Sequence, residues 1–390
     1  MRVLMLLPQP FFAQRGSPIN IYQVCKVLSR LGHEVDLVCY HIGEEVDIDN
    51  VNIKRIPKVP FIREVPVGAS YKKLFLDPLL FFKALGMLLK KRYDIIHAVE
   101  ETIFFGVILK KIFRIPVIYD MDSDIPEQLA YTGFMKNRVF LKFARNLEKW
   151  AIRESLLVLT VCYSLTRSIE EKCPGMKTFQ IEDIPIPGRK VEEKEVEDLK
   201  KALDIKDEII ILYTGNFESY QGVGLLIEGI PQVIKQQKDV KFVLVGGKEE
   251  QIERMKELAE SLNVQDFLSF PGNRPLSEMP VFMEMAHILT SPRVEGTNTP
   301  LKIYTYLQSG KPVVATRLFT HTQVLNDDVA MLTDPNPKGF AQGILELLKD
   351  EGLRAQLGKS GKKLVEEEYS EKKFAEKVEK VYNFVASRSK

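Results

Sequence analysis

Short apolar runs alternate with amphipathic stretches along almost the whole chain. The run "RVLMLLP" at residues 2–8 predicts a buried strand, and the loop that follows it contains a glycine. The stretch "INIYQVCKVLSRLG" has the spacing of a helix, and "HEVDLVCY" after it predicts a second strand. Uninterrupted apolar runs of this kind are typical of strands that are buried on both faces of a parallel sheet. The pattern therefore predicts β-loop-α-β units and an α/β fold.

The same alternation occurs on both sides of a strongly charged segment. "YDIIHAV", "PVIYDMD" and "LVLTVC" predict further strands of the first series, with the helix "NRVFLKFARNLEKWAIRES" between the last two. The segment "GRKVEEKEVEDLKKALDIKDE" predicts a linker and a surface helix, and "IIILYTG" begins the second series. A chain of 390 residues is too long for one ordinary core. We predict two doubly wound parallel-sheet domains facing a cleft, at residues 1–188 and 189–370, and a final helix at 371–390 that packs back on the first domain.

Composition and charge narrow the class of protein. Hydrophobic residues make up 45% and charged residues 28% of the chain, as in globular proteins, and the net charge is only +2. No basic motif with interleaved aromatic residues stands out, so nucleic acid is not an expected partner. The four cysteines lack metal-like spacing, and no segment has the pattern of a signal peptide or a membrane span. We therefore predict a cytoplasmic protein without a metal site.

The stretch "EGTNTPLKIYTYLQSGKPVVAT", residues 295–316, predicts a loop that enters a helix and leaves it through a glycine. Thr299 suits the N-cap position and Pro300 the first helical position. The backbone N–H groups of Thr297, Asn298 and Thr299, together with the helix dipole, predict a phosphate site. Lys302 lies in the first turn, where the dipole disfavours a cation, and this favours a role with an anionic ligand.

Two further charges belong to the same corner. Arg293 lies just upstream of it, and the carboxylate of Glu295 can accept hydrogen bonds from sugar hydroxyls. The alternative is an ordinary capped helix with solvent-exposed charges.

Two glycine-containing turns follow predicted strands. "YTGNFESYQG" places Gly215 after a strand and a second glycine at the start of a helix, which can bring backbone amides to a phosphate. "FFAQRGSPIN" is a similar turn in the first half, with Arg15, Gly16 and Ser17. Each turn alone is a weak signal, because many β-to-α turns have this composition.

Acidic residues follow two other predicted strands. Asp120 and Asp122 in "IYDMDSD" can hold Mg²⁺ through carboxylate oxygens, act in a phosphohydrolase, or cap the next helix and line a ligand. In "AVEET", Glu100 is the better candidate for a cleft residue. His97, three residues earlier, can equally be a hydrogen-bonded core histidine.

Taken together, these stretches resemble the glycosyltransferases of family four, which have two Rossmann-like domains in the architecture called GT-B. "RGSPINIYQVCKVLSRLGHEVDLV" is similar to the family's Gly-rich loop, helix and "GHEV" strand. "LYTGNFESYQGVGLLIEGIPQV" is similar to its "GR…KG" segment and the helix after it. "FVLVGG", "LSFPG" and "GKPVVAT" fall where the family pattern expects them. The resemblance covers nearly the whole chain.

The resemblance implies a transferase that moves a sugar from a nucleotide-diphosphate donor with retention at the anomeric carbon, without a catalytic metal or other cofactor. The acceptor, a glycan or a lipid-linked molecule, binds mostly to the first domain. Together with the arguments above, it assigns catalytic roles to Glu295, Lys302 and Asp122, and acceptor-side roles to Arg15, His97 and Glu100. The donor-binding residues are Gly16, Ser17, Gly215, Asn216, Gln221, Arg293, Thr297, Asn298, Thr299, Tyr304 and Thr305.

Four positions depart from the family pattern. The second Glu of the family's motif, which usually binds the ribose, falls on Thr305, with Tyr304 beside it. The Arg and Lys that hold the diphosphate fall on Asn216 and Gln221, and the histidine that faces the donor sugar falls on Asp122. Because positive charge is lost at these positions, we predict that Lys302 and Arg293 neutralise the leaving diphosphate.

The segment 51–92 carries ten basic residues and only two acidic ones. Within it, residues 71–92 are apolar in the middle and basic at both ends, with a helix predicted to begin at Pro78. This composition suits a peripheral helix on the anionic inner face of a membrane, which favours a lipid-linked acceptor. The alternative is a core helix with flanking lysines.

Two other functions compete with glycosyl transfer. One is a Mg²⁺-dependent sugar-phosphate phosphohydrolase that uses Asp120 and Asp122. The other is a nucleotide-sugar-binding protein whose catalytic site is lost.

Overall fold

A computed structural model describes residues 1–13, 16–66, 68, 70–131, 137–186 and 188–388 of the chain. The chain divides into two compact units, Met1–Asp183 with Glu371–Lys390, and Ile184–Ser370. The first division lies five residues before the one predicted at 188. The segment after Asp183 belongs to the second unit because it is bonded there, with the backbone N–H of Ile186 donating to Thr305 Oγ1 at 3.2 Å.

The first unit is built around a seven-stranded parallel sheet. Its elements along the chain are β1 (Arg2–Leu6), α1 (Gly16–Arg30), β2 (Glu34–Cys39), β3 (Val51–Arg55), α2 (Tyr71–Lys90), β4 (Ile95–Val99), α3 (Thr102–Phe113), β5 (Val117–Met121), α4 (Ile125–Tyr131), α5 (Arg138–Glu154), β6 (Leu157–Thr160), α6 (Tyr163–Lys172) and β7 (Thr178–Gln180). The strand order is β3-β2-β1-β4-β5-β6-β7, with parallel pairing throughout. The order reverses between β1 and β4, and ligands of such sheets bind at the carboxyl ends of the strands at this point.

The second unit contains a six-stranded parallel sheet. Its elements are α7 (Glu193–Ala202), β8 (Ile209–Thr214), α8 (Val223–Ile234), β9 (Val240–Val245), α9 (Glu249–Ser261), β10 (Leu268–Gly272), α10 (Met279–Met285), β11 (Ile288–Ser291), α11 (Leu301–Gln308), β12 (Val313–Thr316), α12 (Phe319–Thr322), β13 (Met331–Thr333), α13 (Pro337–Lys349) and α14 (Glu351–Glu368). The strand order is β10-β9-β8-β11-β12-β13. The equivalent switch point lies between β8 and β11.

The last helix, α15 (Glu371–Arg388), returns to the first unit and packs against α1. The hydroxyl of Tyr382 lies 2.8 Å from His97 Nδ1 in β4, and the Phe384 ring lies 5.7 Å from the Phe179 ring in β7. α1 contacts the sheet face to which Met5 points, where Cys25 Sγ lies 3.8 Å from the Met5 sulfur. The opposite face is covered by α2, α3, α5 and α6, which share one buried apolar cluster with the strands.

Two helices begin at residues other than those expected. The prediction that a helix starts at Pro78 is wrong, because α2 begins seven residues earlier and contains this proline. A proline inside a helix leaves the carbonyl four residues before it without a partner. That carbonyl belongs to Leu74, which is 63% exposed, so the lost hydrogen bond falls on the solvent side of α2. α11 begins at Leu301, one residue later than expected, because Pro300 keeps an extended ψ of 130°.

None of the helices that the structure describes is both long and apolar enough to cross a bilayer.

Candidate functional site

The loops after β8, β9 and β11 meet at the switch point of the second unit. A Cβ atom added to Gly246 would lie 1.9 Å from the carbonyl oxygen of Gly215. One added to Gly222, at the start of α8, would lie 2.0 Å from the carbonyl oxygen of Pro292. Both glycines also have positive φ angles, of 120° and 70°. Only glycine allows this backbone-to-backbone approach, which brings two of the sequence-predicted turns together.

Arg293 braces the loop that enters α11. Its Nε donates to the carbonyl of Glu295 at 2.7 Å, and its Nη1 donates to the carbonyl of Asn298 at 3.2 Å. The guanidinium carbon lies 5.2 Å from the centroid of the Tyr220 ring, which comes from the loop after β8. The side chain predicted to bind a diphosphate therefore uses two of its donors to fix the loop.

Residues of α12 and the turn after it hold the same loop from the other direction. Thr320 Oγ1 donates to the carbonyl of Asn298 at 2.5 Å, and Gln323 Nε2 donates to the carbonyl of Thr297 at 2.8 Å. These bonds fix the orientation of the peptide groups at 297–299, whose N–H groups were predicted to hold phosphate.

A neutral histidine lies beneath this loop. His321 is buried, with Nδ1 2.8 Å from the carbonyl of Thr316 and Nε2 2.9 Å from Ser291 Oγ. Burial lowers its pKa to about 3, so the ring is uncharged at neutral pH. Nδ1 therefore carries the proton donated to the carbonyl, and Nε2 accepts from Ser291. Thr316 in turn donates from Oγ1 to the carbonyl of Arg293 at 2.5 Å.

The amine of Lys302 is buried against the turn after β8. Its Nζ lies 4.0 Å from the centroid of the Tyr213 ring and 2.9 Å from where a Cβ on Gly215 would be. The Nζ atom has no hydrogen-bond partner among the residues that the structure describes. Burial, and then the nearby charge of Arg293, lower the pKa of Lys302 well below its ordinary value.

Two other buried polar atoms near Lys302 also lack a hydrogen-bond partner in the described structure. Thr299 Oγ1 and Gln221 Oε1 have no hydrogen-bond partner within the described part of the chain. Buried polar atoms are satisfied in most proteins, so three such atoms in the loops and the first turn of α11 at one switch point indicate a place for a polar ligand.

The other predicted residues of the second unit differ in exposure. Glu295 and Asn216 are exposed, and Asn216 Oδ1 accepts from the backbone N–H of Glu218 at 3.2 Å. Tyr304 is buried, with its ring 4.9 Å from the ring of Tyr369. Thr305 accepts the hydrogen bond from Ile186, so the position of the family's ribose-binding acid fixes a backbone segment of the same unit.

In the first unit, the structure brings two separately predicted stretches together. The hydroxyl of Ser17, in the first turn of α1, bonds to the carboxyl of Asp122 beyond β5. Gly16 is the exposed first residue of α1, whereas Arg15 lies outside the described residues. His97 is completely buried, and its Nε2 lies 2.8 Å from Asp120 Oδ2. With Nδ1 bonded to Tyr382, His97 is placed as a core histidine and not as a residue facing an acceptor.

Carboxyl groups with raised pKa values are concentrated at this edge of the first sheet. Glu100 is buried, has a φ of 51°, and accepts from Ser123 Oγ at 3.0 and 3.1 Å. Burial, and then the charge of Asp122, raise the pKa of Glu100 well above its ordinary value. Burial likewise raises the pKa of Asp183 to about 7, although Asn20 donates to it at 3.0 Å.

No group of three or more His, Cys, Asp or Glu side chains that could hold a metal ion occurs in the ranges described.

Sequence reasoning missed the residues that support the second-unit loops: Tyr213, His321, Thr320 and Gln323. A signal for three of them was present, because "RLFTHTQ" follows the strand "KPVVAT" directly. Polar residues after a strand were the criterion that selected Asp120, and the same criterion applied here would have found them.

Comparisons with known proteins cover most of the chain. The model described as Glycosyltransferase Family 4 matches residues 15–179, and the model described as Glycosyl transferases group 1 matches residues 195–364. An uncharacterized glycosyltransferase of Methanocaldococcus jannaschii is 24% identical over 389 aligned positions, and the alignment covers 94% of each chain. A phosphatidyl-myo-inositol mannosyltransferase of Mycobacterium leprae is 20% identical over 396 aligned positions, and the alignment covers 99% of this chain and 98% of that one.

A solved structure shows the same fold. The Anabaena protein HepE, crystallised in complex with UDP-glucose, matches with a TM-score of 0.75 at 16% identity, over 98% of this chain and 99% of that chain. The GT-B fold predicted from the sequence is confirmed by this likeness.

Proposed function

Because the chain belongs to the glycosyltransferases that these two family models describe, we propose that it transfers a sugar from a nucleotide-diphosphate donor with retention at the anomeric carbon. The acceptor in this proposal is a glycan or a lipid-linked molecule, and the reaction needs no metal ion. The observation that carries the proposal is the buried amine of Lys302, which lacks a partner within the described residues and lies against the turn after β8.

A diphosphate supplies the hydrogen-bond acceptor that the amine of Lys302 lacks. A buried donor without a partner destabilises the protein, and a phosphate oxygen gives it a charge-assisted hydrogen bond. The approach of the dianionic group favours the protonated amine, so Lys302 becomes cationic where the leaving group develops negative charge. Catalysis then comes from positioning and from electrostatic stabilisation of the departing diphosphate. The amine replaces the charges lost at Asn216 and Gln221.

The remaining donor contacts follow from the braced loop. The fixed N–H groups of Thr297, Asn298 and Thr299 bind the phosphate oxygens, and Arg293 adds its charge while holding the loop. The exposed carboxylate of Glu295 accepts hydrogen bonds from the hydroxyls of the donor sugar. HepE was solved with UDP-glucose, so uridine nucleotides are the first donors to test.

In the first unit, we assign Glu100, Asp122 and Ser17 to a hydroxyl-bearing substrate. The raised pKa values of Glu100 and Asp122 keep these carboxyl groups protonated to higher pH than usual. A protonated carboxyl group can both donate to and accept from a sugar hydroxyl.

The acceptor proposal rests on helix α2 and on a relative. α2 exposes Tyr71, Phe75 and Phe82 by 71%, 63% and 64%, and lysines lie at both of its ends. These features suit a peripheral helix on an anionic membrane. The mannosyltransferase of Mycobacterium leprae is named for an acceptor that is a phospholipid. A lipid-linked acceptor on the inner face of the membrane fits both observations.

A thermal-shift panel followed by a transfer assay tests the function. Purified protein is melted with UDP-, GDP- and ADP-sugars in the presence of EDTA, and a donor at a hundredfold excess over its Kd should stabilise the fold by about 2.7 kcal/mol. The stabilising donor is then incubated with lipid extract, and nucleoside diphosphate release is measured. Failure of every nucleotide sugar to stabilise the protein would overturn the proposal, and release that requires Mg²⁺ would overturn its metal independence.

A further inference from the structure

Ten of the thirteen strongly exposed large hydrophobic side chains in the described structure lie on three helices of the first unit. Their exposed fractions range from 43% to 76%. Soluble proteins usually expose such side chains singly, so this concentration indicates a surface that is covered in function. We call it the three-helix surface; its members are Tyr71, Leu74, Phe75, Phe82 and Leu89 on α2, Ile108 and Ile112 on α3, and Val139, Phe140 and Phe143 on α5.

The three helices are neighbours in one layer. They pack on the same apolar cluster of the first sheet. Between α2 and α3, the rings of Phe81 and Phe105 lie 5.6 Å apart. Between α3 and α5, Lys111 Nζ lies 5.0 Å from the centroid of the Trp150 ring. α3 therefore lies between α2 and α5, and each helix of this layer exposes large apolar side chains.

Helix α5 separates three kinds of side chain around its axis. Its buried residues are Glu148, Ala151 and Ile152. At about 100° per residue, Phe140, Phe143 and Trp150 share a second flank, the one that contacts α3 through Trp150. The remaining flank is basic and carries Arg138, Lys142, Arg145, Lys149 and Arg153.

Charge on the three helices is strongly one-sided. They contain eleven Lys and Arg residues but only three acidic residues, which are Asp77, Glu148 and Glu154. Each acid already has a bond: Asp77 accepts from Tyr40 at 2.5 Å, and Glu148 from Lys172 at 2.9 Å. Glu154 accepts from Lys110 at 3.1 Å. The exposed bases of α5 are therefore not neutralised by acids of these helices.

We propose that α5 is a second membrane-binding helix, and that α2, α3 and α5 together place the first unit on an anionic bilayer. The proposal rests on the proposed function for α2 and extends it to a helix about fifty residues further along the chain. Apolar side chains of α5 enter the boundary between headgroups and acyl chains, while its bases contact lipid phosphates. Each base near an anionic surface should strengthen partition by roughly five-fold.

Trp150 allows a direct test because it is the single tryptophan of the chain. Wild-type protein is mixed with vesicles of phosphatidylglycerol and phosphatidylcholine, with and without bromine on the acyl chains. Bound protein should show quenched Trp150 fluorescence with the brominated vesicles only. Protein that floats with vesicles while Trp150 remains unquenched would overturn the role of α5 and leave that of α2 intact. Absence of all vesicle binding would overturn both, while sugar transfer to a free glycan would still support the enzyme.

Substitutions in α5 separate the apolar contribution to membrane binding from the electrostatic one. Phe140→Ser with Phe143→Ser should abolish the quenching, and Lys142→Gln with Arg145→Gln should weaken binding to anionic vesicles by roughly 25-fold. Phe319→Ser is the matched control, because Phe319 is 52% exposed but lies in the second unit, and it should bind like wild type. Unchanged binding and quenching in both α5 variants would contradict the proposal. A dimer in solution that the serine variants convert to monomer, without change in vesicle binding, would instead identify a contact between copies of the chain.

Discussion

Replacing Lys302 by methionine is expected to change stability and catalysis in opposite directions. Methionine has nearly the length and volume of the lysine stem but no amine. Removing a buried donor that has no partner in the described structure should relieve roughly 1–3 kcal/mol of desolvation cost. In a unit of this size, each kcal/mol corresponds to a rise in Tm of about 2–4 °C. The free protein should therefore melt several degrees higher than wild type.

The same change should slow transfer. A charge-assisted hydrogen bond to the diphosphate contributes about 1.5–3 kcal/mol, so its loss should lower kcat/KM by roughly ten- to 150-fold. Nucleoside diphosphate should also stabilise the variant less than it stabilises wild type. Calorimetric melting and initial rates with the best donor give both quantities on the same samples.

An exposed lysine of the second unit provides a matched control for the Lys302 variant. Lys338→Met replaces an exposed lysine of the same unit and should leave both Tm and kcat/KM unchanged. A Lys302→Met protein that is less stable and fully active would show that the amine serves only the fold. One that is more stable and fully active would show that the diphosphate binds elsewhere.

Three other substitutions test the sugar contact of Glu295, the loop brace of Arg293 and the raised pKa of Asp183. Glu295→Gln keeps the size of an exposed side chain, so it should lower kcat/KM by roughly ten-fold with Tm unchanged, and equal initial rates would remove Glu295 from the site. Arg293→Lys loses the fork that bonds two loop carbonyls, so urea unfolding should show a loss of about 1–2 kcal/mol; an unaltered midpoint would refute the brace. The pKa of Asp183 is raised to about 7, so the folded state prefers its protonated form, and this preference costs stability as pH rises from about 4 to about 7. Asp183→Asn should therefore be roughly 4 kcal/mol more stable than wild type at pH 8 and equal to it at pH 4; a difference that does not vary with pH would contradict the assignment.

The local pattern of apolar and polar residues was sufficient to predict most helices and strands and the positions of the site loops. The helix predicted at 137–155 is observed at Arg138–Glu154, and the glycine turn after β8 lies where spacing placed it. The start of α2 was predicted wrongly, because the local rule that proline breaks a helix does not consider that Leu74, which loses its hydrogen bond to Pro78, lies on the solvent side of the helix.

Contacts between residues far apart in the sequence determine the roles of several side chains, and the local sequence pattern could not predict these roles. His97 bonds to Tyr382, 285 positions away, and that bond makes it a core residue. Thr305 accepts a hydrogen bond from Ile186, 119 positions earlier, so its side chain has a structural role. The sequence comparison with the family showed only that Thr305 replaces a glutamate. The burial of Lys302 depends on Tyr213 and Gly215, which belong to another strand and turn. Sequence spacing contains no information about such partners.

Nucleoside diphosphate release in EDTA tests the proposed metal-independent transfer and the role of Lys302 together. Wild-type protein and Lys302→Met are incubated with the stabilising nucleotide sugar and lipid extract, and released diphosphate is followed together with the anomeric configuration of the product. We expect release by wild type, a retained configuration, and a rate roughly ten- to 150-fold lower in the variant. Equal rates in the two proteins would exclude Lys302 from catalysis, and no release from any nucleotide sugar would refute the proposed transfer.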